Sequence, residues 1–336
     1  MRIVEVVTDC GHADTLISIA EQHEIDDYWR FQPREEDGRC ICRMLVRPER
    51  LQELVDGLQT ALEKTDNSRI VIQPVEATLP RLPEAEDQKT RALTRSREEL
   101  YTRIEAGIKL DNNFILMTVL STIVAAIGLL EDNVAVVIGA MVIAPLLGPN
   151  MAMAFAAALG DTRLALASLK TNVVGVTLAL LITFVIGLIW PLNFNSTELM
   201  TRTDVGLEGI ALALASGMAA VLALTTGVSA SLVGVMVAVA LLPPAATMGL
   251  MLGAANYQLA LGALLLLAVN VVCVNLAAKL TFFIRGVRPR TWWQKQKARQ
   301  SLITYVIFWA VALLVLLVVI KVHHDYLARS VEALVR

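Results

Sequence analysis

Ile138-Gly-Ala-Met-Val-Ile-Ala-Pro-Leu-Leu-Gly-Pro149 recurs 95 residues downstream as Val233-Gly-Val-Met-Val-Ala-Val-Ala-Leu-Leu-Pro-Pro244. Gly139/Gly234, Met141/Met236, Val142/Val237, Leu146/Leu241, Leu147/Leu242 and Pro149/Pro244 are identical pairs. The same offset carries Asp161 onto Asn256 and Leu164-Ala-Leu166 onto Leu259-Ala-Leu261 without a gap, so the pattern reads as a duplication. Each copy takes in three apolar stretches able to cross roughly 30 Å of hydrocarbon. An odd number of spans per copy sends the second into the bilayer with opposite polarity. That is an inverted-topology repeat, a recurring device of secondary transporters, found in channels as well.

The prolines give the motif a physical meaning. Proline has no amide hydrogen and clashes with the carbonyl four residues earlier. Pro145 and Pro149 would free the carbonyls of Met141 and Pro145, and Pro243 and Pro244 those of Val239 and Ala240. Freed backbone groups must be buried in protein or face a water-filled cavity. Helix restarts after Pro149 and Pro244 would aim amide donors and positive dipole ends at the gap. A packing kink is the bland alternative, weaker for two aligned copies than for one. The candidate binding residues are therefore Pro145, Gly148, Pro149, Pro243 and Pro244, with the deep polar residues Lys170, Asn172, Asn270 and Asn275. Lys170 lies seven residues from Arg163, about 10 Å of helical rise, so snorkelling competes with a site role; Lys279, near Arg285, is expected to snorkel. The asparagines would serve equally as interhelical hydrogen-bond glue. Asp161 reads as a cap or a surface ion pair.

Composition divides the chain in the same way. Of 336 residues, 56% are hydrophobic and 18% charged. Residues 1–110 hold 16 Lys/Arg and 22 Asp/Glu, against 13 and 9 in residues 111–336. The second part is too poor in charge for a water-soluble core. Seven apolar stretches are expected as spans: 114–130, 134–159, 164–190, 206–226, 229–254, 257–284 and 302–322. Six basic residues precede the first. Six more (Arg285, Arg288, Arg290, Lys295, Lys297 and Arg299) separate the sixth and seventh, while the opposing loops carry Glu131-Asp132, Glu198 and Asp204. Positive-inside asymmetry places the N-terminal domain in the cytoplasm. No signal peptide is evident. The tripeptide Asn195-Ser196-Thr197 matches a glycosylation acceptor and is treated as chance.

Residues 1–78 predict strands near 2–8, 27–32, 39–47 and 69–76, with helices over 14–24 and 48–64. The order βαββαβ is the split-βαβ, ferredoxin-like arrangement. Its second and fourth strands would be edges, where Pro33 and Pro74 are tolerated. Cys10, His12, Cys40 and Cys42 would approach one another and could bind zinc, but cysteine on a buried strand face is commonly a small hydrophobe, and no metal site is assigned. Four cysteines are too few and too scattered for a disulfide scaffold, which suits a reducing compartment. Residues 79–110 form a linker and juxtamembrane helix bearing Lys89, Arg91, Arg95, Arg97, Arg103 and Lys109. The expected organisation is then membrane repeats over 111–190 and 206–285, a basic loop 286–301, a last span 302–322 and a tail 323–336.

The paired motifs 138–149 and Leu241-Leu-Pro-Pro-Ala245, between a small soluble domain and a basic last loop, resemble a prokaryotic family of uncharacterised hydrophobic membrane proteins, domain-of-unknown-function family 389. The likeness covers roughly residues 110–290, and the N-terminal domain fits the longer members. It implies a bacterial or archaeal inner membrane protein and transfers no functional residues. Nothing in the sequence suggests an enzyme. The histidines (His12, His23, His323 and His324) are not embedded with a carboxylate, and no Walker-type loop is present. The leading expectation is a secondary transporter of a small solute or ion, with a site between two Pro-broken helices. An ion channel, or a non-transporting sensor or scaffold with a ligand-binding N-domain, is the alternative. Its partners would be the lipid bilayer and that solute, with homo-oligomerisation left open, no cofactor, and no nucleic acid at a net charge of −2.

Overall fold

A computed structural model describes residues 1–31, 39–63, 65, 67–76, 78, 96–191, 196–226, 241–287 and 307–321. Pro33 and its charged turn, Lys89, Arg91, Arg95, Asn195, residues 227–240 with Val239 and Ala240, the basic residues Arg288–Arg299, and His323 and His324 lie outside the described residues. The chain divides into two compact units, Met1–Tyr101 and Thr102–Arg336.

In the first unit, β1 (Arg2–Asp9), α1 (Ala13–Gln22), β2 (Tyr28–Phe31), β3 (Arg39–Val46), α2 (Pro48–Ala61) and β4 (Arg69–Pro74) follow one another, with one 3-10 turn at Cys10–His12. The strands form an antiparallel sheet in the order β2-β3-β1-β4, so β2 and β4 are its edges. Pro74 ends β4 opposite Arg2, where a missing amide costs the sheet little. Alternation places Val4 and Val6 of β1 with Cys42, Met44 and Val46 of β3 on one face. There they meet Leu16 and Ala20 of α1 and Leu51, Leu54, Val55 and Leu58 of α2. Pro48 sits in the first turn of α2, where its fixed φ suits the helix and no amide bond is lost. The start of α3 (Arg97–Ala106) is held by Arg97, whose guanidinium meets Asp56 at 2.9 Å and whose amide donates to Gln52 at 2.7 Å.

The cysteines overturn one expectation. Cys10 and Cys40 are joined in a disulfide across 30 residues. Thr8 pairs with Cys40 in the β1–β3 register, and the 3-10 turn brings Cys10 alongside. The bond spends two of the thiolates considered for zinc. Cys42 faces the core, and burial pushes its thiol up, with Arg30 opposing.

The second unit is helical: α4 (Asn112–Leu130), α5 (Val134–Ile143), α6 (Leu147–Leu159), α7 (Thr162–Ile189), the single turn α8 (Thr197–Met200), α9 (Leu207–Thr226), α10 (Leu242–Gly253) and α11 (Tyr257–Ile284). A shorter apolar helix α12 covers Ile307–Lys321. Among the described residues, α4, α7, α9 and α11 are long and apolar enough to cross a membrane. The pair α5–α6, bent by 55°, makes up to five spans if counted as one. Of the seven expected spans, the second is thus broken and the first half of the fifth lies outside the described residues.

Helix boundaries repeat at the sequence offset. The starts of α4 and α9, of α6 and α10, and of α7 and α11 each lie 95 residues apart, and α7 and α11 are both 28 residues long. The loops before α7 and α11 also correspond. Asp161 caps the Leu164 amide and Asn256 the Leu259 amide, at 3.0 and 3.3 Å. The amides of Asp161 and Asn256 donate to Ala156 and Met251 oxygens, both at 2.9 Å. The preceding residues, Gly160 and Ala255, both have positive φ, 72° and 55°. Asp161 is therefore a helix cap, one of its two expected roles. Packing is reciprocal as well: α6 packs on α7 and α11, while α10 packs on α11 and α7.

Candidate functional site

Site geometry follows from where the short helices begin. The break between α5 and α6 spans Ala144 to Leu146, with Pro145 half-buried inside it. Helix α6 resumes at Leu147, so Pro149 is its third residue. Likewise α10 starts at Leu242, making Pro243 and Pro244 its second and third. This corrects the expectation that the helices restart after these prolines. First-turn amides have no intrahelical acceptor, so proline is tolerated there, and Pro243 and Pro244 remove two donors from the α10 terminus.

Asn150 follows Pro149 and is 1% exposed. Its Nδ2 donates to the Leu146 oxygen and to Asn172 Oδ1, both at 3.1 Å. Its Oδ1 accepts from Asn275 Nδ2 at 3.3 Å, and Asn275 Nδ2 also donates to the Val271 oxygen at 2.9 Å. One carboxamide thus ties α6 to α7 and α11. Buried Asn275 Oδ1 has no hydrogen-bond partner among the described residues. At 1.5 Å per residue, Asn150, Asn172 and Asn275 each lie about 14 Å from the adjoining ends of their helices, near half the thickness of a bilayer core. Five residues further along α6, Phe155 meets Phe282 of α11 edge-on at 5.3 Å, so α6 and α11 run side by side in the same direction.

A cavity of about 280 Å³ lies between α9, α11 and the loop before α9. Arg202, Asp204 and Glu208 line it with Ser216, and Pro244 and Asn270 line it from α10 and α11. Arg202 pairs with Glu198 at 3.2 Å, and its buried Nε has no hydrogen-bond partner among the described residues. Asn270 is 6% exposed.

The structure therefore gathers the sequence candidates into two groups, Asn172 with Asn275, and Pro244 with Asn270. Pro149 and Pro243 are buried beside these groups in the first turns of their helices. Two candidates stand apart. Lys170 is on the exposed side of α7. Gly148 is a packing position: a Cβ there would lie 2.5 Å from the Gly107 oxygen.

Sequence reasoning missed Asn150, although it adjoins the motif's last proline, because its repeat partner is Ala245. It also misplaced Lys279. That side chain is 1% exposed, enclosed by protein where snorkelling to a surface was expected. Asn275, Lys279 and Phe282 are spaced by four and three, which puts all three on one face of α11, and the first and last touch α6.

The family model for a domain of unknown function (DUF389) matches residues 141–276, from the broken helix to the asparagine of α11. An uncharacterised protein of Methanocaldococcus jannaschii is 34% identical over 272 residues, covering 81% of this chain and 84% of the relative. The chain belongs to the DUF389 family. No solved structure matches it.

Proposed function

We propose that this DUF389 protein is a secondary transporter of a small solute or ion, built as an inverted-topology repeat in a prokaryotic inner membrane, with a cytoplasmic N-terminal domain of ferredoxin-like fold. The observation that carries the reading is the pair of short helices α6 and α10. Both start at prolines within the unit, at positions 95 residues apart, and a cavity reaches the start of one of them at Pro244 and Asn270. Because α10 turns back into α11, which runs alongside α6, the two short helices point in opposite directions. Two such halves exchanging conformations would give alternating access around a central site. The reciprocal packing of α6 on α11 and α10 on α7 supports the inverted repeat. The strand order β2-β3-β1-β4 supports the ferredoxin-like reading. Catalysis forms no part of the proposal.

Solid-supported-membrane electrophysiology on reconstituted protein tests this. A transient current that saturates with one solute and is lost in Pro244→Ala or Asn270→Ala, in monodisperse protein, is the expected result. Pro149 and Pro244 occupy first-turn positions, so alanine there keeps the helix and adds one amide donor. Unchanged flux in both Pro149→Ala and Pro244→Ala would remove the short helices from the site. Silence across inorganic ions, carboxylates, phosphates and amino acids would favour a non-transporting sensor.

A further inference from the structure

The cavity beside α9 runs from one end of the membrane unit towards its middle. Its rim is exposed at Thr201, Asp204 and Glu208. Its floor is buried: Ser216 is 2% and Asn270 6% exposed, beside Pro244 at the start of α10. Both long helices begin at the rim, because a Cβ on Gly262, in the second turn of α11, would strike the Thr203 oxygen. Ser216 follows the start of α9 at Leu207, and Asn270 the start of α11 at Tyr257, by helical rises of about 14 and 20 Å. Half a hydrocarbon core is about 15 Å, so the floor lies near mid-membrane. The Ser216 hydroxyl is open to this space. Thr225 of the same helix returns its hydroxyl to the Val221 oxygen at 2.9 Å, a usual way for a helical hydroxyl to be satisfied. Ser216 makes no such bond among the described residues, and it lines the cavity.

Charge at the rim is unbalanced. Asp132 Oδ1 accepts from the Glu198 amide at 2.7 Å, and Glu198 pairs with Arg202 at 3.2 Å. The α4–α5 loop, α8 and the loop before α9 therefore meet at one end. Glu131, Asp132, Glu198, Asp204 and Glu208 gather there with Arg202, whereas Lys109, Arg163 and Arg285 belong to the opposite ends of α4, α7 and α11. Glu198 neutralises Arg202. Asp204 accepts from the Val205 amide at 2.8 Å, and neither it nor Glu208 has an ion-pair partner among the described residues. An open recess walled by one surplus sign of charge concentrates ions of the other.

We propose, resting on the transporter reading, that the solute is a small protonated amine, drawn in by Asp204 and Glu208 and received at the floor by Ser216. The remaining wall selects among cations. Leu212, Ala213 and Leu266 line it, which suits methylene groups, whereas an inorganic cation needs a shell of oxygens. Among the described residues no aromatic ring lines the cavity, and quaternary ammonium is recognised by aromatic faces. A cation bearing N–H groups can instead donate to the carboxylates and the hydroxyl. At about 280 Å³ the space falls just below the range of drug-sized sites and takes a short carbon chain.

Two measurements on the full-length protein in nanodiscs and proteoliposomes test this. Thermal unfolding is followed while ethylammonium, butylammonium or potassium replaces tetramethylammonium at constant chloride. Currents are then recorded for the same jumps, and for acetate and phosphate jumps at constant tetramethylammonium, against protein-free liposomes that report permeation of the neutral amine. At least one alkylammonium is expected to stabilise the wild type and drive its current, with potassium and tetramethylammonium inert. The double variant Asp204→Asn/Glu208→Gln should raise the half-saturating concentration about tenfold or more, as charge-assisted hydrogen bonds are lost. Both changes are isosteric and at exposed positions, so the unfolding midpoint without amine should stay at the wild-type value. Ser216→Ala should raise the half-saturating concentration by a smaller factor. Glu131→Gln, at the same end but outside the cavity wall, should leave it unchanged. Currents that follow acetate or phosphate and are indifferent to amines would overturn the proposal and leave transport standing. Alkylammonium binding that depends on the two carboxylates without any flux would uphold the amine site and overturn the transporter reading. Potassium or tetramethylammonium acting as well as ethylammonium would overturn the solute class. Equal half-saturation in wild type and the double variant would overturn the assignment of Asp204 and Glu208.

Discussion

Replacing Asn150 by alanine removes a side chain that joins three helices. It deletes the bonds to Asn172 at 3.1 Å and from Asn275 at 3.3 Å, together with the bond that covers the Leu146 oxygen at the helix break. Interhelical hydrogen bonds within membranes average about 0.6 kcal/mol each, so the two contribute about 1.2 kcal/mol. Leaving Asn172 Oδ1 and the Leu146 oxygen with fewer partners adds to this, up to about 2 kcal/mol in all. Asn275 Nδ2 keeps its bond to the Val271 oxygen, which limits the loss on that side. The appropriate assay is reversible unfolding in bicelles by steric trapping, arranged as double-mutant cycles. Asn150→Ala should couple to Asn275→Ala and to Asn172→Ala by about 0.6 kcal/mol each, with a ceiling near 1.7. Lys170→Ala, on the exposed side of α7, should be additive with Asn150→Ala and serves as the control. If both asparagine cycles are additive within about 0.3 kcal/mol, the carboxamide node does not hold the short helix and the geometry of the site has been misjudged.

Other consequences are as specific. A Cβ on Gly249 of α10 would meet Thr183 Oγ1 and, at 2.7 Å, the Leu180 oxygen of α7. Gly249→Ala should therefore destabilise by about 1–3 kcal/mol, and Thr183→Ala should rescue it only in part, because the backbone contact remains; thermal unfolding of the three variants decides. Ala255 holds φ at 55° where its repeat counterpart is Gly160, so Ala255→Gly should raise the thermal midpoint by relieving up to about 1 kcal/mol of strain; a lower midpoint would refute the correspondence of the two loops. Reduction, or Cys10→Ser, should weaken the N-terminal domain by about 3–4 kcal/mol, the expectation for a loop of this length, measured by denaturant unfolding of the full chain. In the oxidised native protein, iodoacetamide at pH 8 should label Cys42 slowly. Its thiol is pushed up by burial, so less thiolate is present than on a free cysteine. Rapid labelling would show that Cys42 is not in the core.

Much of the architecture was legible because it rests on local rules. Alternation in residues 2–8 and 39–47, and the stripe from Leu51 to Leu58, specified strands and helices whose apolar faces had one way to meet. The edge positions expected of β2 and β4 are those observed. The motif at 138–149 announced a break in the helix, and Asp161 announced a cap. Other features were not legible because they depend on the other side of a contact. Pro149 and Pro244 read as breakers, yet their position inside a first turn shows only once the helix start is known. Cys10 and Cys40 lie 30 residues apart, and only the β1–β3 register brings them together.

The sequence by itself determined the division into a charged first part and an apolar second, the repeat at 95 residues, and the absence of carboxylates from the span interiors. These are properties of composition and period, and they survive any arrangement of the helices. Tertiary structure alone decided which polar residues act together. Asn172 and Asn275 were equal in rank to Lys170 on depth, but helix rotation turned the lysine outwards and brought the asparagines to Asn150. Lys279 looked like a surface residue by its distance from Arg285, and the packing of α6 against α11 enclosed it. Depth is set by position along a helix and can be counted. Facing is set by which neighbour a helix packs against, and only the folded chain supplies that neighbour.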